Sequence, residues 1–87
     1  NIQRFIASDA LQLSPSPAQD FLLLKYAPHL AGGMLKCLDQ TGRIRFTKRL
    51  SLTAYSDELS LPHLKPGLYY LSIQQGNQVG IWPFIKM

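Results

Sequence analysis

The stretch Leu64-Lys65-Pro66-Gly67-Leu68-Tyr69-Tyr70-Leu71-Ser72-Ile73 decides the fold, because a Pro-Gly turn leads directly into a run of β-forming residues. Proline fixes φ at about −65° and glycine accepts positive φ, so this pair predicts a type II turn. The aromatic and branched residues that follow have no helical period. They predict a strand over residues 67–75.

Turn residues divide the rest of the chain into short segments typical of strands, and no segment clearly signals a helix. The stretch Asp39-Gln40-Thr41-Gly42 predicts a type I turn followed by a G1 bulge, and Gly76-Asn77 predicts a hairpin of type II′ or I′. We expect an all-β fold, an antiparallel Ig-like β-sandwich of about seven strands. Residues 1–10 would form a linker or first strand (2–8), and residues 11–87 the domain. The remaining strands are predicted over 11–13, 21–25, 34–39, 43–50, 59–61, 67–75 and 78–85.

Alternation within these strands predicts which side chains face the core, because successive residues of a strand point to opposite faces. Pro83 has no N–H to donate, so it predicts that the last strand is broken there and lies at an edge or carries a bulge. The predicted inward-facing residues are Leu11, Leu13, Leu22, Leu24, Leu35, Cys37, Ile44, Phe46, Leu59, Leu61, Tyr69, Leu71 and Ile73.

Composition and charge narrow the class of protein. A chain of 87 residues that is 46% hydrophobic and 16% charged forms one small folded domain. Its net charge is +4, and its basic residues cluster at Arg43, Arg45, Lys48 and Arg49. This cluster could attract phosphate or anionic lipid headgroups. Its alternation with apolar residues favours a solvated strand face instead, so no nucleic-acid partner is expected.

No pattern in the chain indicates an active site, and we expect no catalysis, cofactor or metal. A single cysteine, Cys37, excludes both an intramolecular disulfide and a thiolate-cluster metal site. Asp57 and Glu58 are adjacent and would point apart in a strand. An enzyme would need His29, His63 and a carboxylate to converge.

Four motifs in order, from Leu11 onward, resemble the type A C-terminal sorting domain of proteins exported by the type IX secretion system of certain Gram-negative bacteria. Pro15-Ser16-Pro17-Ala18 is similar to the family's Pro-Asn-Pro-Ala start, with Ser16 in place of the usual Asn. Residues 35–43 resemble its apolar-x-apolar-x-Asp-x-x-Gly-Arg/Lys hairpin, and residues 59–69 its Leu-Ser-x-Leu-x-x-Gly-Leu/Ile-Tyr segment. Residues 81–87 resemble its closing strand, but they are more apolar than is usual and contain a proline.

The resemblance implies a signal that directs its parent protein across the outer membrane by binding translocon and sortase components. Such a protein is exported, passing through the periplasm to the outer membrane surface or the extracellular space. In most members a sortase-type protease removes the domain and attaches the cargo to anionic lipopolysaccharide, whereas a few members retain it. The apolar last strand would also allow an edge-strand homodimer. The residues that the resemblance nominates for recognition are Pro15, Pro17, Asp39, Gly42, Gly67, Tyr69, Phe84, Ile85, Lys86 and Met87.

Two other interpretations stay open at this point. Asp39, Gly42, Gly67 and Tyr69 would also be explained if they served only to fold the domain. The alternative function is an accessory ligand- or carbohydrate-binding β-sandwich of a secreted protein. That alternative requires an exposed aromatic platform, for which Tyr26, Tyr55 and Trp82 are the candidates.

Overall fold

A computed structural model describes residues 4–15 and 17–87, which form two β-sheets around a shared core. Residues 2 and 3 of the predicted first segment, and Ser16, lie outside the described residues. Two single-turn 3₁₀ helices, Ser8–Ala10 and Pro28–Leu30, connect strands. The prediction of an all-β sandwich is confirmed. Its strands are β1 (Arg4–Phe5), β2 (Leu11–Ser14), β3 (Phe21–Tyr26), β4 (Met34–Leu38), β5 (Ile44–Arg49), β6 (Ser56–Ser60), β7 (Gly67–Gln75) and β8 (Gln78–Lys86).

The strand order shows how the two layers are built. One sheet has the order β1-β8-β7-β4-β5 and the other β2-β3-β6. All neighbours pair antiparallel except β1, which runs parallel to β8. The longest ladder joins β7 to β8 from Gly67–Lys86 to Gln75–Gln78. The predicted strands match the observed ones except at β6, which was predicted over 59–61 and is formed by Ser56–Ser60. Alternation alone also cannot show the parallel pairing of β1.

The inner faces of both sheets carry most of the predicted core. Alternate residues of each strand face the space between the two sheets, and most of these residues are apolar. Burying each large apolar side chain contributes about 1.5–3 kcal/mol to folding. Cys37 belongs to this interior, and burial raises the pKa of its thiol to about 11. It therefore packs as a small neutral group, as predicted. Side chains with almost no exposure are Leu22, Leu24, Leu30, Leu35, Cys37, Leu50, Leu61, Leu71 and Ile73.

The predicted core is wrong at Ile44, which is 50% exposed, and only partly right at Leu13 and Phe46, which are half-buried. The cause at Ile44 is a bulge in β5. Leu38 pairs with Ile44 but Cys37 pairs with Phe46, so Arg45 is an extra residue between the two pairs. An extra residue reverses the direction of the side chains on one side of it. Ile44 therefore points to the outer face of the sheet, although Phe46 lies against the core.

The turns follow the sequence at two of three positions. The Gly42 N–H donates to Asp39 C=O (3.0 Å), and Gly42 has a φ of +86°, as a type I turn with a G1 bulge requires. Gly76 has a φ of +62° and Asn77 has a negative φ, which selects type II′ over I′. The type II turn predicted at Pro66-Gly67 is wrong. Gly67 has the expected positive φ, but its value of +153° is far from the required value of about +80°, because Gly67 is already paired as the first residue of β7.

Pro83 lies inside β8, which continues through it in register with Tyr70. The odd-numbered residues of β8 direct their backbone groups away from β7, since Val79 and Ile85 C=O accept bonds from Ile6 and Ala18 N–H. The nitrogen of Pro83 therefore faces away from β7, and no ladder bond is lost there. This is the edge-type position that the sequence predicts, although the strand is not broken.

Tyr69 fastens the start of β7 to the loop before it. Its hydroxyl donates to Lys65 C=O (2.6 Å), and its ring stacks on Phe84 with centroids 5.6 Å apart. A tyrosine hydroxyl bonded to backbone a few residues upstream is the tyrosine corner known from Ig-like sandwiches. The side chain is buried, so its role in the described structure is to hold this corner.

Removing only the Tyr69 hydroxyl tests this role. Tyr69→Phe keeps the ring stack and loses the bond to Lys65, so we expect a loss of about 1 kcal/mol in the free energy of unfolding, or about 4–8 °C in Tm. Tyr70→Phe is the matched control, because that side chain stands on the opposite face of β7. Equal Tm values for Tyr69→Phe and Tyr70→Phe would contradict the corner.

A second buried hydroxyl predicts how stability depends on pH. Tyr26 donates to Asp57 Oδ2 (2.6 Å), which also accepts from Ser51 N–H (3.0 Å). Burial, followed by the bond to Asp57, raises the pKa of Tyr26 from 10.0 to about 12. The unfolded chain then ionises at lower pH than the folded one, so the contribution of Tyr26 is complete below pH 10 and is lost between pH 10 and 12.

Urea unfolding of the wild type and Tyr26→Phe between pH 8 and 12 measures this contribution. We expect the wild type to be more stable by a constant amount up to about pH 10, and this difference to shrink above it. The other three tyrosines are present in both proteins, so the comparison isolates Tyr26. A difference that is flat across the whole range would contradict the raised pKa.

Candidate recognition site at the C-terminal strand

The antiparallel order of β8, β7 and β4 brings distant motifs to one end of the five-stranded sheet. Gly67 starts β7 opposite Lys86, where β8 ends. Leu38 ends β4 opposite Tyr70, so the turn that follows β4 lies beside the start of β7. Two grooves open here. One of about 340 Å³ lies beside the first residue of β3, and a smaller one of about 210 Å³ lies beside the start of β7. We call this end of the sheet the motif end of the sandwich.

The smaller groove shows how close two of the motifs lie. The turn residues Asp39, Gln40 and Thr41 line one side and residues 66–69 line the other. A Cβ atom on Gly67 would lie 3.8 Å from Gln40 Nε2. The Asp-x-x-Gly and Pro-Gly-Leu-Tyr motifs, far apart in sequence, thus share one surface.

The Pro-x-Pro-Ala segment fastens the end of β8 from its other side. Ala18 N–H donates to Ile85 C=O (2.9 Å), and Met87 N–H donates to Ala18 C=O (2.7 Å). These two bonds form a parallel bridge between Ala18 and Lys86. Ala18 is 1% exposed, so only a small side chain has room there. We call this contact the Ala18 bridge.

The Ala18 bridge is the functional feature that sequence reasoning missed. Pro15 and Pro17 are both exposed, and neither makes the contact to β8. The alanine that completes the motif makes it. A small residue directly after the second proline was the available signal, because a backbone that approaches another strand closely leaves no space for a larger side chain.

The last residues of β8 alternate between buried and available side chains. Phe84 is buried against Tyr69, and Lys86 is also buried, with its Nζ donating to Met87 C=O (2.8 Å). Ile85 and Met87 are 53% and 56% exposed. Of the four nominated terminal residues, Ile85 and Met87 can therefore be contacted directly, while Phe84 and Lys86 support the strand.

The larger groove lies next to the available terminus. Pro15, Pro17 and Phe21 line it together with Met87, and Gln19 and Asp20 complete its wall. Phe21 is 45% exposed. This surface offers apolar side chains and the carboxylate of Asp20 beside Met87, the residue that follows β8.

Asp39 explains the stability of the turn at the motif end. Its Oδ1 accepts from Thr41 Oγ1 (2.6 Å), Thr41 N–H (2.9 Å) and Arg43 N–H (3.0 Å). The Thr41 hydroxyl is the largest cause that lowers the pKa of this carboxyl, and the two N–H groups and the Arg45 guanidinium (3.9 Å) add to it. The carboxylate is thus occupied by its own turn, which favours a folding role for Asp39 and Gly42.

The aromatic platform of the alternative function is not formed. Tyr26 and Trp82 are 6% and 7% exposed, and only Tyr55 is available at 43%. Trp82 points inward because it is an even-numbered residue of β8. Its ring lies over Gly80, where a Cβ atom would clash with it, and its Nε1–H donates to Ser8 C=O (2.9 Å).

The histidines and other polar groups form no evident centre in the part of the chain that the structure covers. His63 packs edge-on against Phe46 at 5.9 Å, and His29 lies in the 3₁₀ turn before β4. Residues 4–15 and 17–87 contain no group of three His, Cys, Asp or Glu side chains placed to hold a metal. None of their helices is long and apolar enough to cross a membrane.

Comparison with known families gives a match over most of the chain. A family model described as the secretion system C-terminal sorting domain matches residues 12–86. The match covers β3 to β8 in full, all of β2 except Leu11, and the four motifs except Met87. No curated protein matches the chain.

Two solved structures share the fold. PorZ, described as an essential bacterial surface component of the type-IX secretion system of Porphyromonas gingivalis, superposes with a TM-score of 0.70 at 18% identity, over 91% of this chain. The chain spans only 12% of PorZ. The sulfur carrier protein SoxY from Chlorobium limicola f thiosulfatophilum superposes with a TM-score of 0.62 at 11% identity, over 97% of this chain and 83% of its own.

Enlarging Ala18 tests the Ala18 bridge. Ala18→Leu overfills a closed position, which typically costs about 1–3 kcal/mol, and we expect the end of β8 to detach first. Hydrogen exchange at the Met87 amide should then speed up by roughly tenfold or more, because each tenfold change in opening is about 1.4 kcal/mol. Leu71, in the centre of β7, should keep its protection.

Ala7→Leu is the matched control, since Ala7 is exposed. It should leave the exchange of Met87 unchanged. An Ala18→Leu protein with wild-type protection at Met87 would show that the bridge does not hold the strand.

Proposed function

Because the chain belongs to the family of secretion-system C-terminal sorting domains, we propose that it directs its parent through the type IX system by presenting the end of β8 to translocon and sortase components. The family consists of sorting signals, so the parent is a protein exported to the cell surface or beyond. Its interaction with the secretion machinery in general follows from this membership. The identity of the contacting residues is the part that we propose.

The observation that carries the proposal is that residues 84–86 are hydrogen-bonded on both sides. Residues 84–86 pair with the start of β7 on one side, and the Ala18 bridge holds their other side. Ile85 and Met87 remain exposed on this support. A rigid strand that presents defined side chains loses little conformational entropy when a partner binds it.

We assign the other nominated residues to the support. Gly67 and Tyr69 set the start of β7, and Asp39 and Gly42 close the neighbouring turn. Pro15 and Pro17 would both shape the segment that carries Ala18 and offer an exposed apolar wall. Residues 11–87 would act as the sorting unit, with β1 lying beside β8 as an adjoining segment.

The fate of the domain after transport belongs to the same proposal. A sortase-type protease would remove the domain and join the cargo to anionic lipopolysaccharide, or the parent would retain the domain, as a few members do. PorZ, with a similar fold, is itself described as a surface component of a type IX system, which supports a role for such domains at the cell surface.

Export of a reporter tests the proposal. The 87-residue chain is fused to the C-terminus of a periplasmic reporter in a bacterium with a type IX system. We expect delivery to the cell surface with the wild-type chain, and periplasmic retention when residues 85–87 are deleted. Normal surface delivery of the truncated fusion would contradict the proposed role of the end of β8 in export.

Deletion also removes pairing partners of Gly67 and Ala18, so a second variant separates recognition from folding. The double variant Ile85→Asp, Met87→Asp changes only exposed side chains. Its fusion should also be retained in the periplasm, and the Tm of its domain should equal that of the wild type. Leu52→Asp, at an exposed position in the β5–β6 loop, is the matched control and should be exported.

A further inference from the structure

The outer face of the five-stranded sheet is unusually apolar. Pro83, Tyr70, Leu38 and Ile44 stand side by side across β8, β7, β4 and β5, because each pairs directly with the next. Four adjacent strands span about 14 Å at the usual spacing. Leu68 and Ile85, the adjoining pair, and Ile81 extend this row. We call these seven residues the apolar row.

Its exposure shows that the apolar row is not part of the core. Ile44, Ile81 and Ile85 are 50%, 62% and 53% exposed. Leu38, Leu68 and Tyr70 are half-buried, so part of each side chain is open to solvent. A contiguous apolar surface on a small domain is typical of an interaction site, whereas isolated apolar residues are not.

The outer face of the three-stranded sheet is different. Its cross-strand sets are Gln12–Lys25–Ser56, Ser14–Leu23–Glu58 and Phe21–Ser60, which are mainly polar. Half-exposed antiparallel sheets normally carry such polar residues on the side that faces water. The apolar row is therefore a property of one sheet and not of the composition of the chain.

Charge around the apolar row indicates the chemistry of a partner. Lys36 and Arg49 stand on the same face in β4 and β5, and Arg43 is exposed beside Ile44. The nearest carboxylate, Asp39, is held by its own turn. The other side-chain carboxylates are Asp9 and Asp20, in the segments flanking β2, and Asp57 and Glu58, in β6 of the other sheet.

We propose that the apolar row and its basic border bind a protein surface that carries an apolar ridge flanked by carboxylates. This inference rests on the proposed function and assigns a second contact surface to it, which meets the terminal segment at Ile85 and extends from there across the sheet to Ile44. Complementary charge sets orientation and speeds encounter, while the apolar centre supplies affinity. A second copy of this chain fits poorly, since it would bring the same cations face to face.

A membrane is the competing partner for an apolar surface with a basic border. Membrane-bound surfaces insert side chains that project into the acyl region. Three of the seven members of the apolar row, Leu38, Leu68 and Tyr70, are half-buried in the sheet and have little side chain left to insert, which favours contact with a protein surface. An anionic bilayer is therefore an outcome that the experiment must separate.

Substitutions at Ile44 test the inference, because Ile44 lies on β5 and has no part in the terminal segment. In the reporter fusion, Ile44→Glu places an acid against the acidic partner, and we expect surface delivery to fall by roughly tenfold or more. Ile44→Lys should reduce delivery less than Ile44→Glu does. Leu52→Glu, the same change at another exposed aliphatic residue but outside this face, should be delivered like the wild type.

The Tm of Ile44→Glu and the delivery of the two fusions distinguish misfolding of the variant, failure of this inference and failure of the proposed function. Ile44→Glu must keep the wild-type Tm of the domain, which we expect for an exposed side chain on an edge strand; a fall in delivery explained by unfolding would overturn the inference. Delivery of Ile44→Glu equal to that of the wild type would overturn it while the proposed function stands. A wild-type fusion that is not exported would overturn the proposed function, and the inference with it.

The nature of the partner is read from two further measurements. A photoreactive amino acid at position 81 should form a protein adduct in exporting cells, and one at position 52 should not. Flotation with vesicles of phosphatidylglycerol and phosphatidylcholine should show no binding that Ile44→Glu abolishes. Vesicle binding lost in Ile44→Glu, without a protein adduct, would replace the protein partner by a lipid surface.

Discussion

The hydrogen-bonded ladder between β7 and β8 is the constraint on which the rest of the structure depends. It fixes the register of Tyr69 against Phe84 on the inner face and of Tyr70 against Pro83 on the outer face. A shift of one residue would exchange these faces and turn Trp82 to solvent. Core, apolar row and terminus are therefore set by a single pairing.

The Ala18 bridge adds a second support, and it links the two sheets at the motif end. Ala18 lies between β2 and β3 of one sheet and bonds to β8 of the other. The segment that a transport system would contact is thus held by both layers. The motifs that suggest a family by their order in sequence prove to be neighbours in space, which gives their order a physical reason.

Most of the fold can be predicted from the sequence because strand alternation and turn chemistry are local. The Asp39–Gly42 turn and the Gly76-Asn77 hairpin need only their own residues to specify them. Three features could not be predicted, since each depends on a partner strand: the bulge at Arg45, the extended conformation of Gly67 and the contact of Ala18. At the candidate site, the residue types were recognisable, but the burial of Phe84 and Lys86 and the exposure of Ile85 and Met87 required the register.

The Ala18 bridge also bears on when this domain can finish folding. It joins residues near opposite ends of the chain, and closing such long loops makes folding slow compared with helical domains. A nascent chain that has not yet released β8 lacks the partner of both β7 and Ala18. The sandwich can therefore be completed only after the whole domain has been synthesised. A domain that has finished folding must contain an intact C-terminal segment.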